Sequence, residues 1–264
     1  MYDFTYTKPS SVADAAKLLA ADPDAKFISG GQTLLPALKH RLNKPTTVVD
    51  LSGIAEMRGI RREGNALVIG ALMKHAEVAT SAEVKAAIPA LAEMASNIGD
   101  TQVRNRGTLG GSVSNNDPAA DYPAAVLGLG ATVVTSKREI PADEFFLGMF
   151  TTALDVDELL VAIKFPIPEK AGYAKMRNPA SRYVMAGAFV SKGPQGIRVV
   201  INGAGPCVFR QLEMEAALAS SWSQEAVAGI KQDADGLNGD IHGSAEYRAH
   251  LVTVMAKRAV VAAG

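Results

Sequence analysis

The chain has 264 residues, 48% of them apolar, enough to bury one large core or two to three smaller ones. Its 27 Lys and Arg balance 27 Asp and Glu, which excludes a global field drawing it to nucleic acid or to an anionic membrane. The most apolar stretch, Ala124 to Val134, is broken by glycines and too short to cross a bilayer. No basic segment followed by an apolar one opens the sequence, so a cytoplasmic protein without membrane insertion is expected.

In chain order, Ser10-Ser11 starts a helical pattern through Leu19, and Lys26 to Ser29 reads as a short buried strand broken by Gly30-Gly31. Thr33 is placed to cap the next helix, with Pro36 tolerated in its first turn and Leu34, Leu35, Leu38 and Leu42 on one apolar face. Thr47 to Leu51 supplies the following strand, which makes a small βαβ unit. A hairpin then runs from Gly59 to Arg62 and from Leu67 to Gly70 around Glu63-Gly64-Asn65. Two helices follow, the second starting at Pro89 and stopped by Gly99.

From Asp100 to Asp121 the pattern dissolves into a polar, glycine-rich run of about twenty residues, a length that marks functional loops. Asp117-Pro118 opens the next helix, and strands recur at Thr132 to Thr135 and Leu159 to Phe165. Pro166 and Pro168 place a boundary near residue 169. Beyond it lie three strands, Gly172 to Met176, Val184 to Ser191 and Ile197 to Ile201, then helices. The last starts at Ser244 and sets Tyr247, Leu251, Val254 and Met255 on one face.

Cys207 is the only cysteine, so the chain forms no intrachain disulfide and no four-thiolate cluster; an iron-sulfur centre would have to belong to another chain. His40, His75, His242 and His250 show no metal-ligand spacing. No Gly-x-Gly-x-x-Gly fingerprint, Walker loop, Gly-x-Ser-x-Gly elbow or general-base histidine stands out. Asn202-Gly203-Ala204-Gly205-Pro206 is read as a strand-to-helix turn. The two glycine pairs, Gly30-Gly31 and Gly110-Gly111, are flanked by Thr33, Thr108 and Ser112 and suit either phosphate cradles or tight turns. Arg104 and Arg106 suit a diphosphate, a neighbouring subunit or a solvated loop face. Such a chain supplies binding and leaves the reaction to a cofactor.

Two segments carry a resemblance. Phe27-Ile28-Ser29-Gly30-Gly31-Gln32-Thr33-Leu34-Leu35-Pro36 and Thr101-Gln102-Val103-Arg104-Asn105-Arg106-Gly107-Thr108-Leu109-Gly110-Gly111-Ser112, the second continuing through Asn115-Asn116-Asp117-Pro118-Ala119-Ala120-Asp121, resemble the FAD motifs of molybdenum hydroxylase flavoprotein subunits. The likeness extends over nearly the whole chain. It implies an α+β protein: the two-subdomain FAD-binding fold of the vanillyl-alcohol oxidase type over residues 1–52 and 53–168, with a C-terminal α+β domain over 169–264.

For the site, the resemblance implies a noncovalent FAD held at its diphosphate and ribityl region by Ser29, Gly30, Gly31, Gln32 and Thr33, with Leu34 beside them, and by Thr108, Leu109, Gly110, Gly111 and Ser112. Thr101 and Asn105 would lie beside the cofactor, Asp121 on a sugar or ribityl hydroxyl, Leu159 and Leu160 packed on the FAD, and Lys175 near the flavin. Tyr183 is either a gate stacked near the flavin or an ordinary strand tyrosine. Members often carry an acidic residue a few positions past the arginine that here is Arg182, and this chain does not.

The implied partners are a small subunit with [2Fe-2S] clusters and a large one with a molybdopterin cofactor, assembled as a dimer of heterotrimers. Two rivals stand beside this reading: a free-standing FAD-dependent reductase of the same fold, and an assembly subunit without redox function.

Overall fold

The computed structural model describes residues Met1–Gly264 and is a mixed helix and sheet structure, as expected. Its first layer is a three-stranded parallel sheet of β1 (Thr5–Thr7), β2 (Lys26–Ile28) and β3 (Thr47–Asp50), ordered β1-β3-β2. The helix Val12–Ala21 crosses from β1 to β2, its start fixed by Ser11 Oγ accepting the Asp14 N–H, with Ala15 and Leu19 buried beneath it. β1 leaves no mark in the sequence, because three residues are too short to show an alternation. β2, expected to be buried, leaves Phe27 and Ile28 half-exposed because they face a cavity.

The helix Leu34–Lys39 buries Leu38 as expected, but two features differ. Thr33 sits in helical geometry and its hydroxyl caps nothing. Leu42 lies past the helix end and is 81% exposed, because the chain turns through left-handed Arg41 before the apolar face can continue.

The second unit begins with the hairpin β4 (Ile60–Glu63) and β5 (Ala66–Gly70). It continues through β6 (Thr132–Thr135) and β7 (Glu139–Pro141), a detached hairpin β8 (Phe146–Gly148) and β9 (Thr151–Thr152), and β10 (Leu160–Pro166). Its antiparallel sheet is ordered β4-β5-β10-β6-β7. Between β5 and the second glycine motif stand three helices, His75–Thr80, Ala82–Ala87 and Pro89–Ser96, not two. The extra break lies at Ser81, which leaves helical geometry and caps the next turn through its side chain.

The stretch from Asp100 to Asp121 is not a long loop. Asp100 accepts the Val103 N–H and opens the short helix Thr101–Arg104, and Thr108 accepts the Gly111 N–H and opens Leu109–Asn115. Helices this short and glycine-rich lack an apolar stripe; caps and tertiary contacts hold them, which periodicity cannot reveal. Asp117-Pro118 forms a turn closed by Ala119 and Ala120 N–H groups, and the helix starts later, at Tyr122–Gly128, where every residue is buried.

The C-terminal sheet runs β11 (Lys170–Arg177), β12 (Val184–Gly193), β13 (Gly196–Asn202) and β14 (Phe209–Arg210), antiparallel in that order, so the boundary read near residue 169 falls between β10 and β11. Asn202 to Pro206 leads into β14 before the helix Leu212–Ser220 begins, so it is not a direct strand-to-helix turn. Ser244 caps the last helix, Ala245–Ala263, whose buried face carries Leu251, Val252, Met255 and Ala259 while Tyr247 stays 40% exposed. β12 is covered on both faces: Ala188 and Val190 join the core under this last helix, and Phe189 packs on Gly128 in the larger core. That double burial anchors the C-terminal sheet beside Asp121.

Candidate functional site

A cavity of about 710 Å³ opens where the parallel sheet, the second glycine motif and the start of β10 meet. That volume lies within the range of cofactor sites. Its wall contains Ser29, Gly30, Gly31, Gln32, Thr33 and Leu34 from the first motif and Thr108, Gly110, Gly111 and Ser112 from the second, with Asp121, Leu159 and Leu160. Residues as far apart in sequence as Ser29 and Leu160 are thereby brought to one space.

The first motif leaves β2 and turns at Gly31, whose φ of +72° favours glycine. The backbone N–H groups of Gly30, Gly31, Gln32, Thr33 and Leu34 donate to no acceptor within the protein; the first bond of the following helix comes from Leu35 to the Gly31 carbonyl. Five successive unpaired donors on a cavity wall, with a free Thr33 hydroxyl beside them, suit an anionic, oxygen-rich group such as a diphosphate.

The second motif is built differently. Leu109 N–H bonds the Met73 carbonyl at 2.9 Å, Gly110 N–H the Ala71 carbonyl at 2.8 Å, and His75 N–H the Gly107 carbonyl at 3.0 Å. Its donors are largely consumed in stitching it to the segment after β5, and it offers hydroxyls instead. Ser29 Oγ and Thr108 Oγ1 lie 2.8 Å apart and join the two motifs. Gly30 is a close-approach glycine: a Cβ there would stand 2.2 Å from the Arg106 carbonyl oxygen.

Asp121 is 4% exposed. It accepts Tyr173 O–H at 2.8 Å and Lys175 Nζ at 2.8 and 3.1 Å on its two oxygens. Burial pushes the Asp121 carboxyl upward, against the Lys175 charge and the hydrogen bonds from Lys175 and Tyr173. Lys175 is therefore behind Asp121, outside the wall, and also holds the carbonyls of Asn97 and Arg182 at 3.1 Å.

Three further residues read as site members stand outside the wall. Thr101 and Asn105 are exposed, one helical turn apart, with Asn105 Nδ2 donating to the Thr101 carbonyl; Val103 from the same turn reaches the cavity instead. Leu109 is fully buried in the core behind its motif. The arginines separate as well: Arg104 donates to the carbonyls of Ile98 and Gly99 at 3.0 Å, whereas Arg106 is exposed and off the wall.

Tyr183 does line the cavity, 53% exposed and just ahead of β12, next to left-handed Arg182. Phe150 and His75 line it too and were not identified from sequence. Phe150 sits with φ +53° at the tip of the β8–β9 hairpin, a conformation that no pattern of residue types announces. Burial, aided by the Arg104 charge, holds the His75 imidazole down at about 4 and so uncharged at neutral pH.

A βαβ unit with free donors at its glycine turn, joined beside a cavity to a stitched glycine helix, is an arrangement that suits a dinucleotide-cofactor binding protein. Residues 2–168 match the family described as the FAD binding domain in molybdopterin dehydrogenase, and the chain belongs to that family. It is similar to the carbon monoxide dehydrogenase medium chain of Hydrogenophaga pseudoflava, at 35% identity over 98% of this chain and 96% of that one. The nicotine 6-hydroxylase medium subunit of Paenarthrobacter nicotinovorans is 34% identical over 98% of this chain and 96% of its own. Among solved structures, reconstituted CO dehydrogenase from Oligotropha carboxidovorans superposes with a TM-score of 0.91 at 31% identity, covering 99% of this chain and 98% of that one. The protein is thus an FAD-binding oxidoreductase subunit of the molybdenum hydroxylase type, with the fold implied by its two motifs. No helix is long and apolar enough to cross a membrane.

Proposed function

We propose that this chain is the electron-transfer subunit of a larger molybdenum enzyme. It receives electrons from the [2Fe-2S] clusters of a small partner subunit and delivers them to an external acceptor. The organic substrate is oxidised at a molybdopterin cofactor in a large partner subunit, and the whole forms a dimer of heterotrimers. FAD, when bound, supplies a centre that takes electrons singly and holds a pair.

The observation that carries this reading is the row of five unpaired N–H groups from Gly30 to Leu34 on the cavity wall of a chain whose family binds FAD. These donors receive the diphosphate, with the hydroxyls of Thr33, Thr108 and Ser112 around them. Leu159 and Leu160 pack against the cofactor and exclude water. Asp121, pinned by Lys175 and Tyr173, presents its remaining acceptor capacity to a cofactor hydroxyl. The attachment is noncovalent: neither Cys207 nor any histidine lies in either glycine motif, and His75, the one histidine on the cavity wall, is buried beneath Gly107. The partner assignments draw on the medium-chain relatives, and the single cysteine leaves any cluster to another subunit.

Copurification tests the assembly: native mass measurement and metal analysis should find iron and molybdenum in separate partner polypeptides, and acid should release all the yellow colour. The chain alone should be reduced by dithionite yet ignore purines, aldehydes, N-heterocycles and carbon monoxide. Substrate-dependent bleaching of flavin in the chain alone would overturn the proposal in favour of a free-standing reductase or oxidase.

A further inference from the structure

His75 begins the helix His75–Thr80 on the segment to which the second glycine motif is stitched. Its side chain is 5% exposed, yet neither ring nitrogen has a hydrogen-bond partner in the protein. The ring packs against Tyr122, tilted at 46° with centroids 5.3 Å apart. The Nε2–Cδ2 edge lies under Gly107, where an added Cβ would stand 2.5 Å from Nε2 and 2.9 Å from Cδ2. Gly107 and His75 both line the cavity, and Nδ1 is the nitrogen sealed away from it.

A packing histidine in a core normally satisfies at least one nitrogen. Here Nδ1 is buried with no acceptor in reach, and a buried N–H left unpaired is rarer than a bare acceptor, so the single proton of the uncharged ring rests on Nε2. The polar atom with an open partner position is then a donor on the cavity wall. The oxygens of a bound dinucleotide are its natural acceptors.

We infer that His75 is a cofactor-binding residue of this cavity, presenting Nε2–H as a hydrogen-bond donor to an oxygen of FAD. The inference rests on the reading of the cavity as the FAD site. It is tested by FAD titration of the 264-residue chain, alone and co-expressed with its partner subunits, alongside thermal unfolding of the FAD-free protein. His75→Leu should weaken FAD binding about tenfold while leaving the unfolding temperature unchanged or higher, because leucine strands no buried polar atom. His75→Gln, whose amide reaches a similar position, should recover most of the affinity. Wild-type affinity in His75→Leu would overturn the inference alone, as would equal losses of affinity and FAD-free stability in both variants. A wild-type chain that takes up no FAD in either setting would overturn the cavity assignment and this inference with it.

Discussion

Gly30-Gly31 and Gly110-Gly111 line one cavity, but their backbone donors end differently. From Gly30 to Leu34 the N–H groups have no acceptor in the protein, while those of Leu109, Gly110 and Gly111 are spent on Met73, Ala71 and the Thr108 hydroxyl. The first pair makes a turn with free donors whose Gly30 packs on the Arg106-Gly107 backbone, and the second a closely packed helix start held to Ala71 and Met73. Both pairs allow backbones to touch; they differ in whether their donors are left free, and only the neighbours decide that.

Gly110→Val should have the largest effect on the packed side. A Cβ there would lie 2.5 Å from Ala71 Cβ and 2.9 Å from Ala71 backbone atoms, so the variant should lose about 3 kcal/mol of folding stability in denaturant titration. A folded Gly110→Val protein that had lost only FAD would show that this position is a ligand cradle after all.

The stitched side also predicts a pH dependence. The folded-state value of His75 is about 4 against 6.5 unperturbed, so the unfolded chain binds its proton first. Stability is full above about 6.5 and falls as pH drops toward about 4, by up to about 1.4 kcal/mol per unit and roughly 3 kcal/mol across the window. The stability difference between wild type and His75→Gln, measured from pH 7 to 4.5, should follow that slope; a constant difference would remove His75 as the titrating group.

Gly31→Ala should act on the other side of the comparison. At φ +72° alanine costs about 1 kcal/mol of stability, and the shifted turn misaims the free donors, so FAD affinity should fall by more than stability does. Paired calorimetry of FAD-free and FAD-bound protein separates the two. The smallest effect distinguishes the threonines: Thr108→Val removes a helix cap and should cost about 1 kcal/mol, whereas Thr33→Val, which removes no cap, should stay within about 0.5 kcal/mol in the FAD-free chain. Equal destabilisation by both would erase the distinction.

Local pattern determined much of this protein. The β4–β5 hairpin around Glu63-Gly64-Asn65, β6 at Thr132–Thr135 and the Ser244-capped last helix were legible because turn chemistry, alternation and capping act over a few residues. The resemblance carried by the two motifs implied a shared site, and residues of both line one cavity. Tertiary structure decided the rest. The helices Thr101–Arg104 and Leu109–Asn115 exist because Asp100 and Thr108 cap them, and the second is also held by its Leu109 and Gly110 N–H groups donating to the Met73 and Ala71 carbonyls. Lys175 stands behind Asp121 because β11 delivers it there, while Thr101 and Asn105 face solvent because one helical turn carries them away from the wall. His75 lines the cavity because the second motif packs over it at Gly107. Contacts between residues far apart in sequence leave no periodic trace in the chain, and it is such contacts that aim these side chains toward the cavity or away from it.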